Sequence, residues 1–275
     1  MDEKSRRAAS FGAVAAQYAE FRPGYPAEAV RWCVAPLGRD LAGLRLLDLG
    51  AGTGKLTALL AELGADVTAV EPDPAMLAEL RRGLAELRRG LASVRALPGS
   101  AEQIPLPDQS VDAVLCGQAL HWFDLPRALP EIARVLVPGG TLSGLWNSDD
   151  DRVAWVAGLQ DVAEGAAAPS LSLRRREAAG FAADHFDARQ ASGERLFLPF
   201  ERAEFGNSQR LTADSLVALL ATHSRVLLME PGRRAELLAR IRGYLAAVPE
   251  TTTGEFTLPL VTAVIRVVRR GLRRG

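Results

Sequence analysis

Cysteine is scarce in this chain: Cys33 and Cys116 are the only two in 275 residues, far apart and without a CxxC pair. That excludes a disulfide framework and a thiolate zinc site, and it suits a reducing compartment. Excess charge is missing as well, since 33 acidic residues balance 33 basic ones. A nucleic-acid binder normally carries a basic surplus, because neutralising phosphates drives its affinity, so no nucleic-acid partner is expected. Lysine is nearly absent, with Lys4 and Lys55 the only two among those 33 cations; a bias in gene base composition accounts for it. No apolar run reaches the roughly 18 residues that a membrane span needs. The opening MDEKSRRAAS lacks the apolar stretch of a signal peptide. A cytoplasmic chain with no membrane partner is therefore the expectation. What is abundant is apolar residue, 48% of the total, which allows a full core and excludes a disordered or collagen-like chain. The length permits one large domain or two modest ones.

Strand and helix signals alternate through the first half. Residues 44–49 are a short apolar run ending at Gly50, and 56–63 follow with helical spacing. Residues 66–70 read as a second strand closed by Glu71-Pro72, with a helix from about Pro74. A third strand is expected at 111–116, a helix at 126–136, and a strand at 141–146 after the Pro138-Gly139-Gly140 turn; the strand near Arg95 is less distinct. Such alternation implies an α/β fold, a doubly wound and mostly parallel sheet with helices on both faces. Beyond Asn147 the pattern changes. Residues 148–193 are polar and alanine-rich, 197–205 look extended, and 212–220 and 233–248 read as helices, with Thr212 placed as an N-cap. Residues 256–268 form an apolar, β-branched final strand, and Arg266, Arg269, Arg270, Arg273 and Arg274 read as a basic, solvated tail. The expected organisation is an N-terminal flap (1–30), a core (31–150), a variable helical region (151–255), and the final strand with its tail (256–275).

The heptad AELRRGL occurs twice in succession, at 78–84 and 85–91. It would place Leu77, Leu80, Leu84, Leu87 and Leu91 on one helix face. Two heptads are too few for a coiled coil. Gly83 and Gly90 each cost about 1 kcal/mol in a helix interior, so a tolerated duplication is the plain reading.

The chemistry-bearing segment is Leu47-Asp48-Leu49-Gly50-Ala51-Gly52-Thr53-Gly54-Lys55-Leu56. A strand ends, glycines follow, and a helix begins; glycines let backbone approach a ligand, and the helix N-terminus offers unpaired N–H groups. A P-loop, GxxxxGK[ST], would need glycine at Leu49 and a hydroxyl at Leu56, and fails twice. A dinucleotide loop, GxGxxG, would need its third glycine at Lys55 and also fails. What remains is GxGxG. Glu71 stands 21 residues beyond Gly50 at the end of the next strand, where an acid suits a ribose diol; taken alone it reads as an exposed strand end, and its spacing from the glycine loop favours the ribose instead.

Four blocks in order now resemble a family: LDLGAGTGKLT at 47–57, VEPDPAML at 70–77, GSAEQIPLPDQSVDAVLCGQALHWFD at 99–124 and ARVLVPGGTLSGLWN at 133–147. With AAQYAEFRPGYP at 15–26, they resemble class I S-adenosylmethionine (SAM)-dependent methyltransferases, of the trans-aconitate and ubiquinone/menaquinone-biosynthesis type. The resemblance covers most of 11–150 and is loose beyond. It implies a seven-stranded Rossmann-like sheet with a helical lid insertion, SAM as cofactor with S-adenosylhomocysteine as product, no metal, and a monomer or homodimer. By position it assigns Asp48, Gly50, Ala51, Gly52, Thr53 and Gly54 to the methionine end of SAM and Glu71 to its ribose. Pro72 and Met76 would pack on adenine or ribose, or serve as helix-start packing. Ala101 and Glu102 would meet the adenine edge, Glu102 being alternatively an exposed loop acid. Gln118 would face the sulfonium region. Tyr18 and Arg22 would close over the cofactor, with a structural turn arginine as the competing reading of Arg22.

Methyl transfer is an in-line displacement that needs alignment and exclusion of water. A hydroxyl nucleophile gains from a base; a carboxylate or amine does not require one. His121 is the histidine within these blocks, and it is either that base or a packing residue of its loop. Trp122, Trp146 and Asn147 would line a small-molecule acceptor pocket, with an oxygen nucleophile favoured. His185 and His223 read as ordinary residues of the variable half. SAM binding without transfer and RNA methylation are the alternative functions; the fold alone does not choose among them.

Overall fold

The computed structural model describes residues 22–87, 94–164, 196–221 and 224–271. Seven strands form one sheet in the order β3-β2-β1-β4-β5-β7-β6. They are β1 (Arg45–Leu49), β2 (Asp66–Glu71), β3 (Val94–Pro98), β4 (Val111–Gly117), β5 (Leu136–Asp149), β6 (Glu201–Thr212) and β7 (Glu255–Val268). Among the described residues the helices are α1 (Ala27–Val34), α2 (Lys55–Glu62), α3 (Pro74–Leu87), α4 (Leu125–Val135), α5 (Ala154–Glu164), α6 (Ala213–Ala221), α7 (Ser224–Leu227) and α8 (Pro231–Ala247).

The pairings β3/β2, β2/β1, β1/β4 and β4/β5 are parallel. β1, β2 and β4 are buried along nearly their whole length, as strands covered on both faces must be. β7 runs antiparallel to β5, since Gly139 and Gly140 bond to Arg269 while Asp150 bonds to Pro259. It also runs antiparallel to β6, as the ion pairs Glu201–Arg266 and Arg210–Glu255 show. The sheet is thus mostly parallel and doubly wound. Its strand order reverses between β1 and β4, and an open α/β sheet binds its ligand beyond the carboxyl ends of the strands at such a switch point.

Several boundaries differ from the sequence expectation for identifiable reasons. The strand expected at 141–146 extends over Leu136–Asp149. Val111 pairs with Leu136 and Ala113 already with Thr141, so the Pro138-Gly139-Gly140 turn is absorbed as an irregularity within β5. The extended segment expected at 197–205 is a single bridge at Phe197 followed by β6, which continues to Thr212. Thr212 does flank α6, and it exchanges reciprocal hydrogen bonds with Ser215. α8 begins at Pro231, two residues before Arg233, because the Glu230 side chain accepts the N–H of Arg233 and caps it. β3 is present where the sequence signal was weak. The basic tail is corrected most. Arg266 is a buried β7 residue that stacks on the Trp32 ring, 3.9 Å from its centroid, and bonds to Glu201. Arg269 and Arg270 donate to the carbonyls of Leu136 and Phe197. Arg273 and Arg274 lie outside the described residues.

The chain groups into two compact units. One includes Gly24–Trp146, and its core packs Ala29, Val30 and Cys33 of α1 and Leu56 and Leu60 of α2 with Leu46, Val67, Ala113 and Leu115 of the sheet. The other includes Gly206–Val261, and its core joins Val156 and Leu159 of α5, Leu216 and Leu220 of α6, and Leu237 and Ile241 of α8. In that unit Trp155 meets Phe256 edge to face at 5.7 Å, and the Tyr244 hydroxyl donates to the Trp155 carbonyl at 2.7 Å. Among the described residues no helix is long and apolar enough to cross a membrane.

Candidate active site

Between the end of β1 and the start of α2, Gly50, Gly52 and Gly54 have φ of 73°, 57° and 90°, a region that side-chain-bearing residues seldom enter. Gly50 is also sterically required: a Cβ there would lie 2.6 Å from the Ala119 Cβ and 3.4 Å from the Phe123 ring. The loop is thereby packed onto the turn that follows β4. At Gly54 the space is filled by Leu80, from the first copy of the repeated heptad. Gly52 differs from both, because a Cβ there would meet nothing within 4 Å. Its backbone stands open beside the N-terminus of α2, the cradle a cofactor's polar end needs.

Buried acids hold this loop from below. Glu71, at the end of β2, accepts the N–H of Gly52 at 2.8 Å on one carboxylate oxygen and that of Asp73 at 2.9 Å on the other. Burial pushes its carboxyl above the ordinary glutamate range, against those two backbone donors. Each oxygen keeps a lone pair for a further partner. Asp48 is buried and accepts the Thr57 hydroxyl at 2.6 Å, tying β1 to α2. Burial, opposed by that hydroxyl and reinforced by the charge of Glu71, pushes Asp48 up to about 7. Asp73, which sequence reasoning missed, caps α3 by accepting the N–H groups of Ala75 and Met76 at 2.8 and 2.9 Å. The signal was present, an aspartate one residue before a helix-starting proline.

Beyond β4 the backbone of Gln118 takes φ of 55° and its N–H donates to Leu145 at 2.8 Å. A short 3-10 turn, Leu120–Trp122, follows. His121 and Trp122 lie ring against ring there, centroids 4.9 Å apart. Trp146, expected to line the acceptor pocket, is only 1% exposed. Its indole N–H instead donates to His121 Nδ1 at 3.2 Å. Indole nitrogen is a donor only, so Nδ1 is the accepting nitrogen and the neutral ring carries its proton on Nε2.

Ala101 is buried in the loop after β3. The Glu102 carboxylate accepts the N–H of Asp124 at 2.9 Å, at the start of α4, a bond to helix-start backbone that neither sequence reading of it foresaw. Arg134 of α4 secures the same loop through the carbonyls of Ile104 and Leu106 and the Asp108 carboxylate. Met76 is buried and Pro72 exposed. Asn147 is buried and accepts the Asn207 amide at 3.1 Å; it and Arg22 belong to the compact unit that includes Gly206–Val261, not to that of the glycine loop. Tyr18, His185 and His223 lie outside the described residues. The structure thus brings Gly50–Gly54, Asp48 and Glu71 together, with the His121 turn packed against them. It adds Thr57, Asp73, Ala119 and Phe123 as supports.

Comparison with known proteins agrees with this arrangement. Residues 47–143 match the family model described as a methyltransferase domain. An uncharacterized methyltransferase of Mycobacterium tuberculosis is 39% identical over 258 residues, covering 94% of each chain. A malonyl-[acyl-carrier protein] O-methyltransferase of Serratia marcescens is 36% identical over 107 residues, 38% of this chain and 39% of its own. Among solved structures, a candidate type II methyltransferase from Anaeromyxobacter dehalogenans superposes with a TM-score of 0.58 at 26% identity, over 90% of this chain and 98% of that one. With the glycine loop, the acid after β2 and the strand order all in place, the chain belongs to the class I SAM-dependent methyltransferases.

Proposed function

We propose that the enzyme transfers the methyl group of SAM to an oxygen of a small molecule, and that this oxygen belongs to a carboxylate. When bound, SAM supplies a methyl on a sulfonium, and S-adenosylhomocysteine is left. Gly52 offers open backbone for the methionine end, and the remaining lone pairs of Glu71 suit the ribose hydroxyls. The buried Ala101 and the Glu102 loop border the adenine side, with Ala51, Thr53, Met76 and Gln118 completing the cofactor contacts.

The observation that carries the choice of acceptor is the bond from Trp146 to His121. A base must take a proton on the ring nitrogen that lacks one, and here that nitrogen faces an indole N–H. Protonating it would set two donors against each other, at the cost of an unmade hydrogen bond. His121 is therefore suited to donate from Nε2 and unsuited to accept a proton. A carboxylate is ionised at neutral pH and needs orientation rather than a base. The O-methyltransferase activity named for the Serratia marcescens relative supports the same reading. A SAM-consumption screen across carboxylates, phenols and amines tests it. Turnover of carboxylates is expected; turnover of phenols or amines alone would overturn it.

A further inference from the structure

We propose that Tyr25 contacts the amino-acid end of the methyl donor, its hydroxyl reaching the crevice over the bare backbone of Gly117. A Cβ at Gly117 would lie 2.6 Å from the Tyr25 hydroxyl oxygen and 3.0 and 3.2 Å from the ring carbons Cζ and Cε2. The absence of a side chain at Gly117 is what lets the tyrosine sit there. Gly117 is the last residue of β4. Asp48 of β1 pairs with Leu115 of β4 in parallel register, so two residues on, Gly117 stands level with Gly50. The Tyr25 hydroxyl is thus carried to the switch point between β1 and β4, at the level of the glycine loop.

The approach is built rather than incidental. Tyr25 lies between Gly24 and Pro26, and Pro26 is the N-cap of α1, its carbonyl accepting the N–H of Ala29 at 3.0 Å. α1 is anchored by the buried Ala29, Val30, Cys33 and Val34, in the same core as Ala113 and Leu115 of β4. On β4, residues 113, 115 and 117 share a face. The first two lie in the α1 core, and the third lies under Tyr25. The next residue, Gln118, has φ of 55°, a departure that a non-glycine residue adopts at a cost and that concentrates at functional sites. A phenol hydroxyl has one proton and two lone pairs, so it can add a carboxylate or ammonium partner to those it already has.

This inference rests on SAM binding at the glycine loop, and the test separates the two. Titrate the full-length protein with S-adenosylhomocysteine and with 5′-methylthioadenosine, which keeps the nucleoside and lacks the amino-acid end. The wild type should bind both; binding neither would overturn the cofactor site itself. Tyr25→Phe should weaken S-adenosylhomocysteine about 3- to 10-fold, the effect of one lost hydrogen bond, and leave 5′-methylthioadenosine unchanged. Gly117→Ala should weaken S-adenosylhomocysteine in the wild-type background and add nothing in a Tyr25→Ala background, where the methyl has room. An unchanged S-adenosylhomocysteine affinity in Tyr25→Phe would overturn the inference. So would equal weakening of both ligands, which marks a structural role.

Discussion

The indole N–H of Trp146 on β5 donates to Nδ1 of His121, 25 residues earlier and just past β4. One strand therefore sets the tautomer of a ring presented by its neighbour. With a carboxylate acceptor, kcat/KM should be flat between about pH 6 and 8.5, because the acceptor is ionised throughout and needs no base. Trp146→Phe removes the donor, worth about 0.5–1.5 kcal/mol or 2- to 12-fold in kcat. It should also introduce a pH dependence in the imidazole range. A wild-type rate that rises through the imidazole range would restore His121 to the role of base.

Glu71→Ala should weaken SAM by about 1.5–3 kcal/mol, the value of hydrogen bonds to a charged group. It should lower the melting temperature as well, because the N–H groups of Gly52 and Asp73 lose their acceptor. Calorimetric titration and thermal unfolding on the same sample separate the two effects. A melting loss with unchanged SAM affinity would confine Glu71 to supporting the loop.

Asp48 makes stability depend on pH in a definite direction. Its carboxyl is raised to about 7 in the fold, chiefly by burial, so between roughly pH 4 and 7 the folded chain holds a proton that the unfolded chain has released. Its contribution to stability is complete below the unfolded value and is lost as pH rises through about 7. Urea unfolding should show that decline in the wild type, and Asp48→Asn should flatten it. An identical slope in the variant would show that Asp48 does not titrate there.

Gly50→Ala should destabilise by about 2–5 kcal/mol, combining the cost of a left-handed backbone with overpacking. The added methyl meets the Ala119 Cβ at 2.6 Å. Ala119→Gly should recover only the packing part, since φ at Gly50 stays at 73°. Full recovery in the double variant would mean that the backbone carries no strain.

The parts of the site that are local in sequence were legible there. GxGxG between a strand and a helix, and an acid one strand later, mark a cradle because turn and helix-end chemistry act over a few residues. Legibility failed where the deciding contact is tertiary. The Trp146–His121 bond joins two strand ends, and no spacing rule relates residues 121 and 146. Tyr25 over Gly117 is a contact across the sheet face, invisible until α1 is docked. Arg266 looked like a tail residue, yet its stem and guanidinium are buried against Trp32 and Glu201, and a cation's partners cannot be read from its neighbours in the chain. The repeated heptad shows both sides. Leu77, Leu80 and Leu84 are buried as their spacing implied, but only the fold shows Leu80 filling the space at Gly54.

Isothermal titration of SAM into wild type and Gly52→Val shows whether SAM is held on the open backbone at Gly52. The first carbon of a side chain there would meet nothing within 4 Å, though φ at Gly52 adds strain of roughly 1–2 kcal/mol. The wild type should bind saturably and Gly52→Val not at all, with circular dichroism showing both folded. Wild-type affinity retained by a folded Gly52→Val variant would contradict it.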